Sequence, residues 1–213
     1  MTDKHSRSKA GGDIAAREAS AGRSVATSAE VSDFLAKARA ASPLVPGARA
    51  RLVFALDATL SRQPTWDMAC ELQADMFSEA ARIGNLDIRL VYYRGASECR
   101  ASGWISDPGK LAALMRKIDC QGGQTQIGRV LGDVRAQAVA SGVRAVVFVG
   151  DAMEEPVDDL CRKAGELGLL KVPVFVFQEG DDPIAGQAFR EIARLTGGAW
   201  CRFDPGAAAQ LRA

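Results

Sequence analysis

The stretch Arg51–Arg62, RLVFALDATLSR, constrains the fold more than any other part of the chain. The apolar residues Leu52 to Leu56 run without a polar interruption, which suits a strand buried on both faces at the centre of a parallel sheet. The run ends in oxygen. Asp57, Thr59 and Ser61 alternate with Ala58 and Leu60, so one carboxylate and two hydroxyls fall on the same side of the strand end. In open α/β sheets ligands bind at that carboxyl edge, where the loops leaving the strands diverge into a crevice. Hard oxygen donors at this spacing suit Mg²⁺, Mn²⁺ or Ca²⁺ rather than zinc. Taken alone, the same residues also read as a strand end whose hydroxyls cap the following helix.

The rest of the chain supplies partners for such a strand. Residues 1–28 are rich in Ser, Ala, Gly and charge, with almost no large apolar side chains, and are expected to form a disordered tail. Residues 29–46 read as a short helix and linker. Val31, Phe34, Leu35 and Ala38 recur at helical spacing, Ser28 is placed to cap the helix, and Pro43, Pro46 and Gly47 close the linker. The main domain is expected over 47–213. After the central strand an amphipathic helix is expected over Trp66–Ile83, then strands over Leu86–Arg94 and Glu98–Ile105 joined tightly as an antiparallel edge pair. A helix over Pro108–Ile118 leads to the glycine-bearing loop Cys120–Gly128, with Thr125 at the mouth of a helix reaching about Ser141. Strand Arg144–Val149, ending in Gly150 and Asp151, is followed by helix Val157–Leu167, strand Val172–Phe177, helix Ile184–Leu195 and strand Ala199–Phe203. This alternation predicts a doubly wound α/β fold: a mostly parallel six-stranded sheet with one antiparallel edge strand and helices on both faces.

Composition removes several function classes. With a formal net charge of +1 over 213 residues, there is no electrostatic case for nucleic acid or an acidic membrane as partner. No apolar run approaches the roughly 20 residues that cross a bilayer, and the N-terminal residues lack the apolar core of a signal peptide. Cys70, Cys99, Cys120, Cys161 and Cys201 form no C-x-x-C pair, so reduced thiols and a cytoplasmic location are expected. The single histidine, His5, lies in the tail, which rules out histidine acid–base chemistry or a histidine-ligated metal in the folded part. Neither a P-loop nor a G-x-G-x-x-G dinucleotide motif is present.

Asp57, Thr59 and Ser61 on the first strand, Thr125 in a glycine-containing loop and Asp151 after the fourth strand together resemble the von Willebrand factor type A (vWA) domain family. That family carries a metal-ion-dependent adhesion site built from Asp-x-Ser-x-Ser, a loop Thr and a later Asp. The resemblance spans about Arg49 to Phe203 and implies the strand order 3-2-1-4-5-6. It implies that Ser61 is a direct hydroxyl ligand and that Thr125 binds the ion directly or through water. It likewise implies that Asp57 and Asp151 hold the site through direct or water-mediated bonds. Thr59 stands where the family has Ser; it keeps the hydroxyl and adds a methyl. The expected function is therefore binding, without catalysis: a Mg²⁺ (or Mn²⁺ or Ca²⁺) ion with an open position captures an Asp or Glu carboxylate of a partner protein.

The alternative is a haloacid dehalogenase-like, Mg²⁺-dependent phosphatase with Asp57 as nucleophile. Thr59 opposes it, because that pattern needs a second Asp there as general acid, and no lysine lies between Lys117 and Lys163 to steady a phosphate. Other conspicuous residues receive structural readings. Glu154 and Glu155 suit a helix N-terminus, Trp66, Trp104, Tyr92 and Tyr93 suit packing, and Arg62, Arg94 and Arg100 read as solvated surface charge.

Overall fold

The computed structural model describes residues 28–40, 49–66 and 86–203. The expected tail, apart from Ser28, and all but Trp66 of the helix expected over 66–83 lie outside the described residues. Helix α1 spans Ser28–Ala40, and the central strand β1 spans Ala50–Asp57 and runs into a 3-10 helix over Leu60–Thr65. Next come β2 (Leu86–Arg94), β3 (Glu98–Ile105), α2 (Pro108–Met115) and α3 (Ile127–Ser141). They are followed by β4 (Ala145–Gly150), α4 (Val157–Leu169), β5 (Val174–Gln178), α5 (Pro183–Thr196) and β6 (Trp200–Arg202).

The six strands form one sheet in the order β3-β2-β1-β4-β5-β6, as the family resemblance implies. Only the β2–β3 pair is antiparallel. Period-two alternation divides each central strand between two cores. Val53 and Ala55 pack with Val91, Val146, Phe148 and Val176 beneath α3, α4 and α5. Phe54 and Leu56 pack with Ile88, Leu90, Phe175 and Phe177 on the other face, where α1 and α2 lie. Both faces are therefore covered, which explains the unbroken apolar runs. Among the described residues no helix is long and apolar enough to cross a membrane.

Where the boundaries differ from expectation, hydrogen bonding explains it. The β5 ladder starts at Val174 rather than Val172, because the Val172 amide donates to Leu167 O (3.0 Å) at the end of α4 and Pro173 has no N–H to give. Helix α2 stops at Met115, its last turn closed by Arg116 N–H to Ala112 O at 3.1 Å; beyond it the Ile118 amide reaches back only three residues, to Met115 O at 3.0 Å. Its start is as expected for Pro at the first position, with the Asp107 carboxylate accepting the amides of Gly109 and Lys110. Register pairs Leu56 with Val149 and Gly150 with Gln178, so β1, β4 and β5 end side by side on the carboxyl edge.

Candidate functional site

Asp57 closes β1 on the same face as Val53 and Ala55 and has no solvent exposure. Its Oδ1 accepts the Thr59 amide at 2.8 Å and its Oδ2 accepts the Tyr93 hydroxyl at 2.8 Å. Burial pushes the Asp57 carboxyl above its ordinary range; the hydrogen bonds from Thr59 and Tyr93 oppose that push, and the negative charge of Asp151 adds to it. The Tyr93 hydroxyl is held well above its ordinary value by burial first and by the charge of Asp57 second. Beyond Asp57 the chain turns so that Thr59 Oγ1 and Ser61 Oγ lie 3.1 Å apart, Thr59 buried and Ser61 exposed.

The loop carrying Thr125 is stitched to this turn by the backbone. Ala58 N–H donates to Tyr93 O (2.9 Å) and Gln121 N–H to Ala58 O (3.0 Å). Gly123 is required there by close approach, since a Cβ would stand 2.0 Å from Gly95 O. Thr125 itself is tied to the β4 loop: its amide donates to Glu154 Oε2 and its Oγ1 accepts the Glu154 amide, both at 3.0 Å. Thr125 does not cap α3. Glu155 does so from outside, accepting the amides of Ile127 (2.5 Å) and Gly128 (2.8 Å) where the helix N-terminus favours an anion. Glu155 thus serves the N-terminus of α3, not that of its own helix as expected, while Glu154 holds Thr125.

Asp151 follows β4 next to β1. Its Oδ1 is a buried side-chain oxygen without a hydrogen-bond partner. Gly150 makes room for the Phe148 ring: a Cβ there would lie 2.9 Å from that ring, whereas its 3.5 Å from Asp57 Cβ would be an ordinary contact. The fold thus brings Asp57, Thr59 and Ser61 into one turn, sets Asp151 on the adjacent strand end, and attaches Thr125 through Glu154.

Sequence reasoning missed Arg62 and Glu179. Arg62, expected as surface charge, is 1% exposed. Its Nε and Nη2 donate to Glu179 Oε2 (3.1 Å) and Oε1 (2.6 Å), its Nη1 donates to Asp57 O (2.6 Å), and its guanidinium lies 5.2 Å from the Trp66 ring centroid. Burial works against the Arg62 charge, but the Glu179 carboxylate, with smaller help from Asp57 and Asp151, more than offsets it. One signal was available: Glu179 follows the apolar run of β5 just as Asp57 and Asp151 follow β1 and β4, so an acid closes each central strand. The remaining residues behave more nearly as expected. Trp66 and Tyr93 are buried, Trp104 packs against the α3–α5 core and Arg100 is exposed; Arg94, expected as solvated surface charge, is instead part-buried and pairs with Glu98 at 3.0 Å.

Among the described residues no three His, Cys, Asp or Glu gather as a metal-holding group. A cation here would depend on hydroxyls as well as on two carboxylates. The donor set fits a hard cation on chemical grounds, because it is all oxygen and includes a buried carboxylate oxygen that lacks a donor.

No protein-family model matches the sequence, and no curated protein does. In three dimensions the chain is similar to the aerotolerance-related membrane protein from Bacteroides fragilis (TM-score 0.60, 18% identity, 76% of this chain and 94% of that one). It is also similar to the SpRpn10 VWA domain (TM-score 0.62, 12% identity, 78% and 94%). A third similar structure is the pilus adhesin SpaC from Lactobacillus rhamnosus GG in its open conformation (TM-score 0.60, 10% identity, 79% and 30%). At these identities the likeness is one of fold: the chain folds as vWA domains do, with six strands in the order 3-2-1-4-5-6 between two layers of helices.

Proposed function

We propose that this chain is a protein-interaction domain that captures an Asp or Glu carboxylate of a partner protein through a divalent cation. Asp57, Thr59, Ser61, Thr125 and Asp151 would hold the ion, Mg²⁺ or alternatively Mn²⁺ or Ca²⁺. When bound, such an ion offers an open coordination position to an anionic oxygen. The single observation that carries this reading is Asp151 Oδ1, buried without a donor beside the buried carboxylate of Asp57. A buried acceptor left unsatisfied costs about 1–3 kcal/mol, and more when charged; a cation removes that cost. Asp57 is better suited to supporting an ion than to attacking phosphorus, since both of its oxygens already accept hydrogen bonds and the residue has no solvent exposure.

Titration calorimetry of EDTA-stripped protein with Mg²⁺ and with Mn²⁺ tests the reading. Binding is expected in the wild type and about tenfold or more weaker in Asp57→Ala and Asp151→Ala, with circular dichroism as the check that each variant folds. The same preparations should leave a generic aryl phosphate unhydrolysed. Turnover that Asp57→Ala abolishes would overturn the binding reading in favour of a phosphatase.

A further inference from the structure

Three large apolar side chains stand exposed at the amino edge of the sheet, opposite the candidate cation site: Val139 at 75%, Leu169 at 87% and Leu170 at 42%. Helices α3 and α4 pack side by side and run in the same direction, each leading into the strand that follows it. Two contacts fix their register. Near their starts Gly128 lies against Leu160, where a Cβ would stand 3.5 Å from that side chain, and about two turns on Arg135 Nε meets Glu166 at 2.8 Å. One turn beyond that pair come Val139 on α3 and Leu169 and Leu170 at the end of α4, so the three share one surface. Ala136 and Ala140, also exposed, extend it along α3, where a surface helix ordinarily turns charge to solvent. Singly such residues need no explanation; side by side they make an apolar patch.

The rim of the patch is basic. Arg135 and Arg162 share Glu166, at 2.8 and 2.9 Å, and exposed Arg144 and Lys171 stand in the connections leading to β4 and β5, which pair with each other. The two helix ends offset roughly half a charge each, so the rim stays positive. We propose that this face docks an amphipathic helix of a partner protein, one with acidic residues beside its apolar stripe. The alanines of α3 let a second helix approach closely, Val139, Leu169 and Leu170 supply the apolar area it covers, and the acids flanking its stripe meet the basic rim. A second copy of this chain docked through the same face would set basic rim against basic rim, which repels. The patch and the cation site lie on opposite edges of the sheet, so one molecule can engage a helix at one and a carboxylate at the other, as a bridging protein would.

Fluorescence anisotropy of a labelled synthetic peptide, titrated with the full chain, tests the proposal. The peptide has about five helical turns, with leucines at i, i+3, i+4 and i+7 spacing flanked by glutamate; in its twin lysine replaces every glutamate. We expect the glutamate peptide to bind at least about tenfold more tightly than the twin, and to weaken as salt rises. Leu169→Ser and Val139→Ser, with circular dichroism as the check on folding, should each weaken it about tenfold. Lys171→Glu should weaken the glutamate peptide and strengthen the twin. EDTA should change nothing, which keeps this outcome separate from the cation reading: a chain that takes up no Mg²⁺ would still dock the helix. Absence of binding, equal binding of the twin, or binding that neither serine substitution moves would overturn the proposal. So would a dimer in sedimentation velocity that Leu169→Ser abolishes, which assigns the face to a second copy. Cosedimentation with phosphatidylserine vesicles that Leu169→Ser abolishes would overturn it as well, in favour of a lipid surface.

Discussion

Asp57 holds an ionisable carboxyl at a position without solvent exposure, and that placement has a measurable cost. Burial raises its folded-state pKa above the ordinary 3.8, so the folded chain holds the proton more tightly than the unfolded chain does. The resulting contribution to stability is fully present below the unfolded value and is lost as the pH rises through the folded one. In EDTA, Asp57→Asn should therefore be more stable than wild type at neutral pH. Asn still accepts the Thr59 amide and carries no charge. The difference should shrink as the pH falls towards the ordinary carboxyl range, and urea unfolding midpoints across that interval measure it. A wild type that remains the more stable protein at neutral pH would show that the hydrogen bonds of Thr59 and Tyr93 outweigh burial. At this scale residue identity was a poor guide to environment. An arginine following D-A-T-L-S is ordinary surface charge until a glutamate 117 residues away is folded against it.

Helix α1 illustrates how an element joins a domain through a few side chains. Its periodicity marks Val31, Phe34, Leu35 and Ala38 as an apolar stripe, and of these Val31 and Phe34 are buried, at 3% and 6% exposure. What the stripe packs on is a property of the sheet. Phe34 meets Phe175 and Phe177 of β5, with ring centroids 5.3 and 4.6 Å away. Residues 29–46, read as a helix and linker apart from the main domain, thus include a helix that completes one of its two cores. Phe34→Ala should cost about 3–5 kcal/mol by the usual range for buried phenylalanine, read from the urea midpoint at constant slope. A cost under about 1 kcal/mol would mean that α1 adds little to the core. The loop before α3 teaches the same lesson. Its glycines and Thr125 were visible in the sequence, yet the cap of α3 comes from Glu155, 27 and 28 residues beyond the amides it accepts.

Across the whole molecule, the strands closest to the site are also the best protected. β1 is flanked by parallel neighbours on both sides and β4 likewise, with helices over both faces. Amides of Val53–Leu56 and Val146–Val149 should exchange with solvent only through global unfolding, whereas those of edge strand β3 should exchange through smaller openings. Hydrogen exchange resolved by strand checks this, and equal protection of β1 and β3 would contradict it. The architecture itself was legible: apolar runs alternating with helical periodicity require a sheet covered on both faces, and that arrangement puts Asp57 and Asp151 on one edge. Hydrophobic period and strand-end chemistry are local properties, written in consecutive residues, so the sequence alone determined a sheet covered on both faces and the edge where the acids gather. The tertiary structure alone decided that Asp57 is fully enclosed, that Asp151 Oδ1 has no donor, that Glu155 serves a neighbouring helix and that Arg62 is buried against Glu179. Each of these depends on the direction in which side chains from distant segments meet, and charge pairing at a range of 27 to 117 residues leaves no periodic trace in the chain.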